Sequence, residues 1–138
     1  MTAKGDVPVN LLKSSLLSSL TQRLEFLSQR SAVIAENIAN ADTPDYAARD
    51  VKKPDFSSLA RTAALKVSDP RHLQGARSAA AGEIVRAPDG DAALNGNRVS
   101  LETQMVKLSE TRMGYQMAST VYRKGLDLMR IAVRGGRS

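Results

Sequence analysis

A chain of 138 residues, 42% of them hydrophobic, suits one domain with a modest core, and with 2 Phe, 3 Tyr and no Trp that core must come from Leu, Ile, Val, Met and Ala spread along helices. The absence of Cys excludes a disulfide framework and a thiolate metal site. The formal net charge of +6 comes from 20 Lys and Arg dispersed among 14 Asp and Glu, which reads as solvated faces and helix-end charge rather than a nucleic-acid face, and no run nears the ~20 apolar residues of a membrane span.

Residues 1–9 carry Gly5, Asp6 and Pro8 without an apolar period and are expected to form a mobile leader. Lys13, Ser14, Ser15, Ser18 and Ser19 interrupt the Leu-rich stretch that follows, and no small-residue cleavage site succeeds it, so no cleavable secretory signal is expected. Asn10 is a candidate N-cap for a helix running to about Asn40. Along it Leu17, Leu20, Leu24, Leu27, Ser31, Ile34, Ile38 and Ala41 alternate by three and four, the spacing of a coiled-coil seam. Small residues, among them Ser28, Ala32, Ala35 and Ala39, flank that seam and permit close neighbours. Leu12, Leu16, Phe26 and Val33 lie beside it, so apolar contact is wanted on more than one side. Pro44 lacks an N–H and pushes Thr43 out of the helical region, which predicts a stop near Asn40 or Ala41.

Beyond Tyr46 the pattern changes to extended chain around Pro54, followed by a short helix from Phe56 to about Leu65 with Asp55 as its cap. Residues 66–97 have little periodicity and are expected to be disordered or to take their order from partners. Within them Glu83–Arg86, around Val85, reads as a short strand pairing with the segment near Val51. Asn95-Gly96-Asn97 signals a turn, and Asn97 or Ser100 can cap a second long helix reaching about Arg134. Leu101, Met105, Leu108, Arg112, Tyr115, Ser119, Tyr122, Leu126, Met129 and Val133 form its four-three row. Arg130 and Arg134 suit its negative end, and Gly135-Gly136 its C-cap. Gly114 and Gly125 inside it each cost about 1 kcal/mol relative to Ala, which close approach of a neighbouring helix would offset. Val121, Leu128 and Ile131 lie off the row. The expected fold class is mainly α, with two long terminal helices and an extended or partly disordered middle carrying a short helix and a short β element.

No residue set asks for catalysis or a cofactor. His72 is the single histidine and has no Glu or His at metal-ligand spacing. A Ser nucleophile would need it as base and a third group to orient it. Gly75, Gly82, Gly90 and Gly96 match no phosphate-cradling loop. Asp42 and Asp45 flank the helix-stopping proline, where capping and turn formation explain them. Tyr115 and Tyr122 fall in the second row rather than on a basic platform, so nucleic acid is not an expected partner. On the residues alone, a basic coiled-coil adaptor or a nucleic-acid-binding protein remains the reading of a different class.

The stretch Ile34 to Tyr46, with Asn37-Ile38-Ala39-Asn40 followed by Thr43-Pro44-Asp45-Tyr46, resembles the signature of bacterial flagellar rod and hook axial proteins. Ala47–Val51, Asp69–Leu73 and Gly96–Glu102 look like local matches to the proximal rod member of that family. Asp45 stands where the family commonly has Gly, so the turn is expected to be shifted or to hold Asp at positive φ. The resemblance implies that the helices, 10–41 and 98–134, pair as an antiparallel coiled coil through Leu17, Leu20, Leu24, Leu27, Ile34, Ile38, Leu101, Met105, Leu108, Tyr115, Tyr122, Leu126, Met129 and Val133. The segment 42–97 then contacts neighbouring subunits and 135–138 is a tail. It further implies a structural role in the proximal rod of the flagellar basal body, in the periplasm, with another rod protein of the same family as the alternative. The implied partners are copies of itself, other rod proteins, a basal-body adaptor protein and the MS-ring at the rod base, and the flagellar type III export apparatus that passes the chain unfolded.

Overall fold

The computed structural model describes residues 9–54 and 82–135, with side chains in the first helix described from residue 16 onward. Four elements follow in order: α1 (Val9–Ala39), β1 (Arg49–Val51), β2 (Ile84–Arg86) and α2 (Leu101–Gly135). The expected leader, the short helix at Phe56–Leu65, His72 and the last tail residues lie outside the described residues. The fold is mainly helical, with α1 packed along α2 and the strand pair laid against α1.

α1 stops at Ala39 because the next turn tightens. The Asn40 amide donates to both Glu36 and Asn37 carbonyls, at 3.1 and 3.2 Å, and Ala41 donates to Ile38 at 3.3 Å, a shorter-range pattern that cannot propagate as α-helix. At the other end Ser100 is the N-cap of α2, its hydroxyl accepting from the Thr103 amide at 3.3 Å, with Glu102 in the positive first turn.

β1 and β2 are antiparallel, with Arg49 opposite Arg86, Asp50 opposite Val85 and Val51 opposite Ile84. The ladder extends through Ala87 N–H to the Ala48 carbonyl at 2.9 Å and Lys52 N–H to the Glu83 carbonyl at 2.8 Å. This is the strand expected around Val85 with its partner near Val51. Within the chain, residues 82–97 make bonds of their own to α1 and to the segment 45–52. The Gln29 amide brackets Gly82, donating to its carbonyl at 3.0 Å and accepting its N–H at 2.9 Å, and a β-carbon at position 82 would collide with Val51 and the Lys52 carbonyl. The segment is anchored by hydrogen bonds and a glycine contact, neither of which leaves a hydrophobic period in sequence.

The core sits along the C-terminal half of α1. Phe26, Leu27, Val33 and Ile34 are buried with Ala48, Val51 and Ala118. Two rows of α1 are therefore used. Leu27 and Ile34 face α2, with Leu17, Leu20, Leu24 and Ile38 half-buried on the same row, while Phe26 and Val33 cluster with Val51 under the strands.

α2 differs from the expected row. Its buried residues are Gln104, Thr111 and Ala118, and Leu27 lies over Gly114, Leu17 over Gly125. Within the chain, the contact face thus runs to one side of the large apolar residues. Leu108, Tyr122, Leu126 and Met129 are half-buried at its margin, whereas Leu101, Met105, Tyr115 and Val133 are exposed. The physical reason is helix separation, since small and polar residues at 104, 111, 114 and 118 let α1 come close, and the bulkier neighbours are displaced outward. The pairs Asn37–Gln104, Leu27–Gly114 and Leu17–Gly125 fix the helices as antiparallel.

Candidate functional site

Three features stand apart from ordinary packing: the turn after α1, the polar chain beneath it, and the outward face of the helix pair. The turn is built from Asn40 to Tyr46. The Asn40 side-chain amide donates to the Glu36 carbonyl at 2.8 Å, and Thr43 Oγ1 donates to Asn40 Oδ1 at 3.1 Å. Thr43 N–H returns to the Asn40 carbonyl at 3.1 Å, and Tyr46 N–H to the Thr43 carbonyl at 3.4 Å. Pro44 needs no donor in this arrangement. Asp45 has φ 58°, and among the described residues it is the single non-glycine at positive φ.

That turn docks onto a second one. Asp45 N–H donates to the Asn95 carbonyl at 3.0 Å, and Arg98 N–H to the Tyr46 carbonyl at 2.9 Å, giving a parallel bridge between Ala47 and Arg98. Gly96 sits at φ 77°, directly against the Asp45 carboxylate. Asn97 does not cap α2. It is 3% exposed, its amide donates to the Asn40 and Thr43 carbonyls at 3.0 and 2.7 Å, and its Oδ1 accepts Val99 N–H at 2.9 Å. Asn97 therefore closes the C-terminal end of α1 across the molecule.

Beneath the turn runs a buried polar chain. Asn37 is fully buried; its Oδ1 accepts Arg49 N–H at 3.0 Å and the Tyr46 hydroxyl at 3.2 Å. Its Nδ2 donates to the Arg49 carbonyl at 2.6 Å and to Gln104 Oε1 at 3.0 Å. Gln104, also fully buried, passes the chain on through Nε2 to Asp89 Oδ2 at 2.7 Å. Asp89 accepts Lys107 Nζ on the same oxygen at 3.0 Å and the Ser100 amide on the other at 3.1 Å. Every polar atom named is paired, as buried amides require. Ile38 and Ala39, the other motif residues, lie on the half-buried and exposed sides of α1.

Charge follows the same frame. Arg30 holds Asp50 through two bonds at 2.8 and 2.9 Å. Burial alone would raise the Asp50 carboxyl, but the bonds from Arg30 and from Val51 N–H, with Lys107 nearby, hold it below the ordinary aspartate range, and the bond to Asp50 raises the Arg30 guanidinium. The contribution of Asp50 is thus complete above its unfolded value of about 3.9 and is lost as pH falls through its lowered folded value. Arg49 pairs with Glu36 and lies over the Tyr46 ring, 5.9 Å from its centroid. Its guanidinium is raised first by the bond to the Tyr46 hydroxyl and then by Glu36.

Among the described residues no group of His, Asp or Glu could hold a metal, and no described helix is long and apolar enough to cross a membrane. An open groove of roughly 300 Å³ lies between Leu27, Ser28 and Ser31 of α1 and Arg112, Tyr115 and Gln116 of α2. Outside it, α2 exposes Val106, Met113, Met117, Val121, Leu128 and Ile131. The sequence reading marked the turn motif and the aliphatic α1 row. It missed Gln104 and Asp89, whose signal was a polar residue at the helical step where the paired helix carries a buried Asn.

The model of the family described as flagella basal body rod protein matches residues 17–46, the seam of α1 and the turn. The chain is 32% identical over 128 residues to the flagellar basal body rod protein FlgB of Salmonella typhimurium, covering 83% of this chain and 90% of that protein. It is 31% identical over 132 residues to FlgB of Bacillus subtilis, covering 89% and 99%. Against FlgB of Escherichia coli the identity is 32% over 110 residues, covering 70% and 77%.

Proposed function

This chain belongs to the flagellar basal body rod protein family, a structural family of the basal body, and from that premise we propose that it builds the proximal rod by helical assembly through its two long helices. The observation that carries this reading is the distribution of apolar side chains on α2. Gln104, Thr111 and Ala118 are turned to α1, while Met113, Met117, Leu128 and Ile131 are 64–68% exposed. A row of that size left in water marks an interaction surface rather than a monomer's finished exterior.

In this reading 10–41 and 98–134 form the wall of a tube. The margin residues Leu24, Leu101, Met105, Tyr115 and Val133 meet neighbouring subunits, and the turn Asn37–Tyr46 redirects 42–97 toward the next subunit. The neighbours are copies of the chain and other rod proteins, with the adaptor protein and MS-ring at the rod base. The chain reaches its periplasmic site through the type III export apparatus. Contacts between different surfaces of successive subunits propagate as an open helix rather than a closed ring.

The test uses a strain lacking the gene, complemented with the wild-type chain or with Met113→Asp and Met117→Asp, two exposed positions of that row. Either charge is expected to abolish swimming and to remove the chain from purified basal bodies while it is still exported. Wild-type swimming with both variants would overturn the reading.

A further inference from the structure

α2 has a second, outward row of residues off its α1 contact face. Glu110, Met113, Met117, Val121, Lys124, Leu128 and Ile131 follow one another by three or four, the step of a helix-packing seam, and all are exposed. The flank of α1 that borders the groove carries an outward row of the same step and opposite character: Ser18, Thr21, Glu25, Ser28, Ala32, Ala35 and Ala39 are all exposed, and none is a large apolar residue. The rows span equal lengths, 18–39 and 110–131.

We infer that the outward row of α2 seats on the outward row of α1 in a second copy of this chain, antiparallel, with Glu25 beside Lys124. This rests on the reading of the chain as a rod subunit, and it names the neighbour and the register.

Charge selects the register. Glu25 is the only charge in the α1 row, the α2 row carries Lys124 near its middle and Glu110 at its end, and neither Glu25 nor Lys124 forms an ion pair with a described residue. Placing them side by side sets Ile131 by Ser18, Leu128 by Thr21, Val121 by Ser28 and Met117 by Ala32. Each of these four large side chains then meets a small one, as knobs entering holes require, and Met113 falls at the end of the row by Ala35 and Glu36. A parallel alignment with Ser18 beside Glu110 instead sets Glu25 against Met117 and Lys124 against Ala32, leaving two charges to be desolvated without partners. The contact joins two different surfaces, so each subunit offers one face to a copy ahead and the other to a copy behind. That property extends an assembly without closing it.

Because the chain has no Cys, the contact is open to cross-linking in the assembled rod. Two chains are co-expressed in the strain lacking the gene, one carrying Glu25→Cys with an epitope tag and the other Lys124→Cys, and purified basal bodies are oxidised. The expected result is a disulfide-linked dimer of this chain that needs both cysteines and does not form when Lys124→Cys is replaced by Arg123→Cys. Glu25→Lys is expected to lower incorporation into basal bodies about tenfold, the size of one well-placed charge pair, with Lys124→Glu in the same chain restoring it. Ala32→Leu, which fills a hole, should lower it without touching charge. A cross-link to another rod protein and none between copies would overturn the inference while leaving the rod reading intact. Absence of even the wild-type chain from basal bodies would overturn the rod reading itself.

Discussion

At the scale of single residues, the turn after α1 depends on two backbones at positive φ that face one another, Asp45 at 58° and Gly96 at 77°. Asp tolerates the left-handed region better than most residues, and that is how a non-glycine stands where the resemblance expected Gly. The cost falls on its neighbour, because the Asp45 carboxylate occupies the space a side chain at 96 would need. Gly96→Ala is therefore expected to destabilise the chain by about 1–2 kcal/mol through the left-handed backbone, plus the displacement of that carboxylate. In an Asp45→Gly background the second part disappears, so the two changes should couple by about 0.5–1 kcal/mol. Asp45→Gly alone should move stability little, since relief of the backbone is opposed by a freer unfolded chain. Urea unfolding of the four chains measures the cycle, and strict additivity would rule the facing-turn account out. The motif residues that make the turn were visible in sequence; their partners were not. Asn97 closes the end of α1 from 57 positions away, a pairing that no local pattern encodes.

At the scale of elements, the α1 row was legible because aliphatic side chains mark it, and Leu27 and Ile34 are buried as that row requires. The α2 contact face was not, because it is made of Gln104, Thr111, Gly114 and Ala118, which carry no hydrophobic signal. Its clue was the cost of two glycines inside a helix, and that cost is matched by leucines seated on them. The two seats differ in tightness. A β-carbon on Gly114 would lie 3.6 Å from both terminal carbons of Leu27, an ordinary contact, whereas one on Gly125 would lie 3.2 Å from Leu17. Gly114→Ala should therefore keep most of the propensity gain of about 1 kcal/mol and stabilise the chain by about 0.5–1 kcal/mol. Gly125→Ala should gain less, because Leu17 must shift. Thermal unfolding of both variants decides the matter, and a destabilised Gly114→Ala would mean that the helices are packed more closely than Leu27 allows.

At the scale of the whole molecule, the buried side chains among the described residues lie toward one end of the helix pair. On α1 they lie between Phe26 and Asn37, and on α2 between Gln104 and Ala118, where the polar chain through Asn37, Gln104 and Asp89 and the strand pair add their hydrogen bonds. Around Leu17 and Gly125 the described side chains are half-buried or exposed. Local stability follows buried contact, so the isolated chain should be protected unevenly. Amide hydrogen exchange is expected to be slow for 26–37 and 104–118, and at least about 100-fold faster for 17–22 and 121–133, a gap of about 2.7 kcal/mol. In purified basal bodies the two groups should become alike, because the outward rows that the free chain leaves in water are then covered. This is the measurable form of folding completed by assembly. If the free chain protected 121–133 as strongly as 104–118, the helix pair would be a finished unit before it met a neighbour, and the exposed face of α2 would serve association without any role in folding.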